Sequence, residues 1–200
     1  MRSPELLRAT LDAQVAECTA KWLAAATDAA SPDTRLFAKL IAARDVRHEL
    51  VLLGLSQPVW RALLERHFVR APASMLASLP ALPPVDTTEH AVFVDTLNAL
   101  LLTHASTAVD PNDAHCLASI IAHACLRPDH LWRDLGLAGR EEVTWMLTRY
   151  FPTLVVRNVD NLRWKKFLAQ QRALSLGLQP GPAPGCPGCE DYGHCFPGHD

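Results

Sequence analysis

Apolar residues recur at helical spacing along almost the whole chain, while short alternating runs rich in Val, Ile or Thr are scarce. A strand buries every second residue and a helix buries a stripe with a period near 3.6, so the pattern commits the chain to an all-α fold. Ser31-Pro32, Asp110-Pro111, Asn158 and Ser56 each place a side-chain acceptor ahead of an apolar-periodic segment, the position of a helix N-cap. The spacing predicts helices over 4–28, 32–44, 45–53, 57–68, 86–106, 111–126, 128–135, 139–150 and 159–176.

Two features divide this helical body. Pro80, Pro83 and Pro84 make Leu79 to Val85 a stiff connector, because proline interrupts helix hydrogen bonding. On either side of it the sequence echoes itself. Leu53-Gly54-Leu55 leads through Trp60 and Leu64 to His67-Phe68, and Leu135-Gly136-Leu137 leads through Trp145 and Leu147 to Tyr150-Phe151. Each half uses a Gly-centred turn and an amphipathic helix ending in an aromatic pair, so the body is a compact multi-helix domain of two loosely similar halves. After Gly177 the composition changes to Gln179-Pro180-Gly181-Pro182-Ala183-Pro184-Gly185, which cannot continue a helix. The expected organisation is a helical domain over 1–178 and an irregular Pro/Gly-rich metal-binding tail over 179–200, a loop unless a ligand organises it.

A chain of 200 residues, 49% hydrophobic and 20% charged, can bury one real core. Its net charge of −2 exerts no general pull on nucleic acid or anionic lipid. The start Met1-Arg2-Ser3-Pro4-Glu5 lacks the apolar core of an export signal, and no apolar run reaches membrane-spanning length. The expectation is a soluble cytoplasmic protein, whose thiols stay reduced and whose clustered cysteines point to metal chemistry rather than disulfides.

Cys186, Cys189 and Cys195 form such a cluster, a C-x2-C-x5-C array at the end of the tail. Two thiolates flanking Pro187-Gly188 can converge on one centre, with backbone N–H groups turned toward the sulfurs. Spacing alone leaves three readings open. Three thiolates can hold three irons of a cubane cluster, they can make a zinc site with His194 or His199, or the tail can stay disordered and metal-free.

A resemblance bears on that choice. His130-Leu131-Trp132-Arg133-Asp134-Leu135-Gly136-Leu137, then Tyr150-Phe151-Pro152, Asn158, Arg163-Trp164-Lys165-Lys166-Phe167 and the cysteine tail resemble the NifQ family of nitrogen-fixation proteins, in order and spacing over the second half of the chain. The resemblance implies a carrier that holds molybdenum as a molybdenum-iron-sulfur cluster and donates it to assembly of the nitrogenase iron-molybdenum cofactor. The NifEN scaffold and the nitrogenase iron protein are its implied partners. Cys186, Cys189 and Cys195 match the last three cysteines of the family pattern C-x4-C-x2-C-x5-C, but Gly181 stands where the first would be, and Ala173 replaces another expected cysteine.

The missing thiolate makes other donors relevant: His115, Cys116, His123, Cys125 and, opening the most family-like block, His130. Cys116 and Cys125 read equally well as small core residues. Arg163, Lys165 and Lys166 can offset thiolate charge, attract molybdate or an acidic partner, or form a solvated basic face. Trp164, Phe167 and Leu168 have the spacing of a buried stripe, and Asp134 is expected to cap a turn or to hold His130. No nucleophile elbow, phosphate loop or zinc-protease pattern is present, so the chain reads as a carrier and not an enzyme. The rival readings are a helical protein-interaction module with a structural zinc tail, and a family member that has lost its cargo.

Overall fold

Residues 4–72 and 88–198 are described by the structure, a computed structural model. The expected proline connector and His199 lie outside the described residues. The chain divides into two compact units, Met1–Leu82 and Pro83–Asp200. The first holds α1 (Pro4–Ala24), α2 (Pro32–Asp45), a 3-10 turn (Leu50–Leu53) and α3 (Gln57–His67). The second holds α4 (Thr88–Thr103), α5 (Pro111–Ala124), α6 (Leu131–Asp134), α7 (Arg140–Tyr150), α8 (Pro152–Val155), α9 (Trp164–Ser175), a 3-10 turn (Cys186–Gly188) and α10 (Tyr192–Cys195). No strand occurs among the described residues, and the fold is all-α. No helix among them is long and apolar enough to cross a membrane.

The echo in the sequence is an echo in the backbone. Gly54 and Gly136 both adopt left-handed φ, 69° and 68°, which only glycine enters without strain. The helices that follow, α3 and α7, are both 11 residues long. Each ends with a phenylalanine N–H bonded to a leucine carbonyl at 2.7 Å, Phe68 to Leu64 and Phe151 to Leu147. Each also offers its last carbonyl to the chain beyond its unit's first helix: Thr27 N–H bonds His67 O and Ser106 N–H bonds Tyr150 O, both at 2.8 Å. The tryptophans, however, do not correspond. Counted from the helix starts, Trp60 matches Val143; Trp60 is 2% exposed, whereas Trp145 is 43% exposed.

In the first unit the core closes on Trp22, which meets Trp60 and Phe68 edge-on at ring separations of 6.2 and 5.1 Å. Such contacts match the positive edge of one ring to the negative face of another. In the second unit Leu97, Leu101, Leu117, Ile121, Met146, Tyr150, Phe151, Phe167 and Leu168 are buried. The expected stripe on α9 is present, with Trp164 buried beside Phe167.

Several helix limits differ from expectation for local reasons. The segment 45–53 keeps only a 3-10 turn, because His48 takes φ 56° and Glu49 N–H folds back onto Arg44 O at 2.8 Å. The segment 159–176 begins only at Trp164, and Asn158 does not cap it. The Asn158 side chain accepts from Leu162 N–H and donates to Leu162 O, closing a loop that competes with the helix. The segment 128–135 shrinks to one turn after Pro128. At its other end α9 stops at Gly177, where Leu178 N–H returns to Ala173 O at 2.9 Å, a Schellman closure that turns the chain into the tail.

Candidate metal centre

The end of α5 supplies the floor onto which the tail folds. Gly185 donates its N–H to Cys125 O at 3.0 Å. Its Cα lies so close to the Arg127 backbone that a Cβ would stand 2.0 Å from Arg127 O and 2.6 Å from Arg127 N. A Cβ on Gly188 would likewise stand 2.4 Å from Pro128 Cβ. The tail therefore does not run as a loop. Cys189 N–H closes a turn on Cys186 O at 2.9 Å, Tyr192 N–H bonds Cys189 O, and Cys195 N–H closes the single turn of α10 on Asp191 O. The two glycines are what let the cysteine backbone touch the helical body.

A substitution that adds only one carbon at Gly185 tests this directly. Gly185→Ala is expected to lift the tail at a cost of about 1–3 kcal/mol, read as accelerated proteolytic cleavage within the tail while helical circular dichroism stays unchanged. Gly181 is the control, since a Cβ there meets nothing within 4 Å. Equal cleavage of the two variants would contradict the docking.

The tail, the start of α9 and the segment around α6 enclose a cavity of about 410 Å3. Its lining includes Cys186, Cys189 and Cys195 together with His130, Arg163, Lys165 and Lys166. The three tail cysteines, His130 and the basic residues at the start of α9 named in the sequence thus lie on one wall system. Trp132, Arg133, Arg140, Asp191, Tyr192 and Phe196 complete much of it. Cys186 is buried, and Cys189 and Cys195 are half-buried. Burial pushes the Cys186 thiol above its ordinary pKa, opposed by a backbone hydrogen bond at Ala183 and by the charge of Lys165.

The cations have different jobs. Lys165 is buried; its Nζ bonds Asp134 Oδ2 at 2.5 Å and Arg127 O at 2.8 Å. Asp134, also buried, takes Arg127 Nε at 3.3 Å as well, so its carboxylate anchors Lys165 rather than reaching the His130 ring. The carboxylate that does reach that ring is Asp191, with Oδ2 3.0 Å from His130 Nε2. Arg163 pairs with the same carboxylate. Arg133 lies over the Trp132 ring at 4.9 Å and bonds Glu190 Oε1 at 2.8 Å. Lys166 donates to Cys195 O and sits over Phe196. Five cationic side chains and two carboxylates line the cavity. After Asp134 and Glu190 are counted against Lys165 and Arg133, a positive charge remains to meet sulfur anions.

The other donors named in the sequence lie elsewhere. His115 is exposed and Cys116 buried on α5. The His123 Nδ1 is 2.9 Å from Ser119 O, and burial lowers its pKa. Cys125 is fully buried beneath the tail, where burial pushes its thiol up to about 12. Ala173, buried on α9, and Gly181 are both outside the cavity lining. His194 is exposed and outside the lining too. Among the described residues no three His, Cys, Asp or Glu side chains converge closely enough to hold one metal ion. Asp191, Glu190 and Arg133 are the partners that sequence reasoning missed; the two carboxylates do sit between the second and third cysteines, the one signal available.

The NifQ family model matches residues 36–197, which takes the likeness well into the first unit. Protein NifQ homolog of Sinorhizobium fredii (strain NBRC 101917 / NGR234) is 38% identical over 143 residues, 72% of this chain and 60% of that protein. Protein NifQ of Azotobacter vinelandii is 43% identical over 97 residues, 48% of this chain and 49% of the relative. Protein NifQ of Klebsiella pneumoniae is 46% identical over 88 residues, 42% of this chain and 51% of the relative. The chain thus spans about half to three fifths of the length of these curated relatives. No solved structure matches it.

Proposed function

The chain belongs to the NifQ family, and on that premise we propose that it serves nitrogen fixation as a carrier of molybdenum within an iron-sulfur cluster, for donation to assembly of the nitrogenase iron-molybdenum cofactor. The observation that carries the reading is the meeting of three cysteines and a surplus of cationic side chains in one cavity. Cys186, Cys189 and Cys195 would each hold one iron of the cargo through a thiolate.

The walls supply the remaining requirements. Lys165 stands under the buried Cys186, where it favours the thiolate. Trp132 and Trp164 give the cavity apolar surface that keeps water from the sulfurs. Cys189 and Cys195 are more exposed than Cys186. An acceptor's thiolates can therefore displace these two first, with Cys186 releasing last. The NifEN scaffold, acting with the nitrogenase iron protein, is the receiver proposed.

Anaerobic purification followed by iron, acid-labile sulfide and molybdenum analysis tests the reading. All three are expected in one coloured species, from which apo-NifEN removes the molybdenum. A colourless protein with one zinc and no sulfide would replace the carrier with a helical interaction module bearing a structural zinc tail.

A further inference from the structure

Three cysteines leave one metal corner of a cubane without a protein ligand, and Gly181 offers no side chain to fill it. We infer that His130 ligates that corner through Nδ1, an inference that rests on the carrier reading above. His130 lines the same cavity as the cysteines, with 17% of its side chain exposed. Its ring stacks on Trp132 at an interplanar angle of 14°. Nε2 faces Asp191 Oδ2 at 3.0 Å and Glu190 Oε1 at 3.5 Å. A carboxylate on Nε2 keeps the proton there and leaves the lone pair on Nδ1. That is the tautomer of a metal-binding histidine, whose other nitrogen nearly always donates to a carboxylate or carbonyl.

The only contact described at Nδ1 is weak. Arg163 Nη1 lies 3.5 Å away, at the outer limit of a hydrogen bond, and Arg163 is also paired to Asp191. Arg163 can leave Nδ1 and keep its carboxylate partner. Ligation then forms one nitrogen–metal bond, releases that contact and moves no proton.

The competing donors fail on position. Cys125 is closed off beneath Gly185, His123 already holds a backbone carbonyl, and His194 does not line the cavity. Imidazole is also a chemically suitable exchange for thiolate, since histidine replaces cysteine on iron in known cluster types. It is neutral, so the corner it holds binds less tightly by charge than a thiolate corner, which suits a cargo that must leave. Asp191 acts as a positioning residue, fixing the ring from within the cysteine tail itself.

The test uses the full chain, loaded anaerobically with iron, sulfide and molybdate after growth on 15N-histidine. Pulsed EPR is recorded in both the oxidised and the one-electron-reduced state, one of which must be paramagnetic. The wild-type chain is expected to show nitrogen coupling that changes with the label. His130→Ala should lose the coupling, and His130→Cys should retain cargo without it. Asp191→Asn should lose cargo about tenfold faster while the coupling survives in the loaded fraction. Coupling that persists in His130→Ala, or absence of any labelled coupling in a loaded wild-type chain, overturns the inference and leaves the carrier reading standing. A wild-type chain that takes up no iron and sulfide overturns both.

Discussion

With Cys186, Cys189 and Cys195 all replaced by Ser, the protein is expected to emerge from anaerobic reconstitution with iron, sulfide and molybdenum at background. Serine hydroxyl stays protonated near neutral pH, so it offers neither the charge nor the soft donor that holds iron. The loss reads ligation and not unfolding, because the tail is docked by groups this change leaves alone. Gly185 N–H on Cys125 O, the close approach of Gly185 and Gly188 to Arg127 and Pro128, and Lys166 on the Cys195 carbonyl all persist. Thermal unfolding of the apo variant should therefore stay within about 1 kcal/mol of the wild-type apo protein. Full loading of the triple variant would remove the basis of the carrier reading.

Lys165→Met is expected to destabilise the second unit by about 3 kcal/mol, near the lower end of the range for breaking a buried ion pair. It leaves the Asp134 carboxylate buried with Arg127 Nε at 3.3 Å as the remaining charged partner among its described ion pairs. For a chain of this size the melting temperature should fall by roughly 6–12 °C. Loading at neutral pH should fall as well, since the charge that favours the Cys186 thiolate is gone. The double change Lys165→Met with Asp134→Leu removes both charges and should recover much of the stability without recovering the loading. A single variant that melts with the wild type would show that the pair contributes nothing. A double variant that loads normally would show that Lys165 matters only to folding.

These variants also separate what was legible along the chain from what was not. The cysteine array, His130 and the Arg163-Trp164-Lys165-Lys166 block were visible as residue types, and the structure brings them to one cavity. Their division of labour was invisible. Lys165 and Lys166 are neighbours in sequence, yet the first is buried against Asp134 and the second lies over Phe196. One helical step turns them to different surroundings. Trp60 and Trp145 looked like counterparts because both follow a Leu-Gly-Leu turn, but a shift of two positions along an 11-residue helix puts one in the core and the other toward solvent. Asn158 looked like a helix cap because an Asn side chain accepts a backbone N–H in either setting. Its bond goes to Leu162, four residues on, and makes a loop.

Helical class, the Gly-centred turns at Gly54 and Gly136, and the clustering of Cys186, Cys189 and Cys195 are legible in residue order alone. All of these rest on interactions among residues within a few positions of one another, where spacing and backbone preference suffice. The contacts of Asp191 with His130, of Asp134 with Lys165 and of Gly185 with Arg127 come from packing. Those pairs are 31 to 61 positions apart. Which of the many available charges and glycines meet is settled by how the helices pack, and no local pattern carries that information.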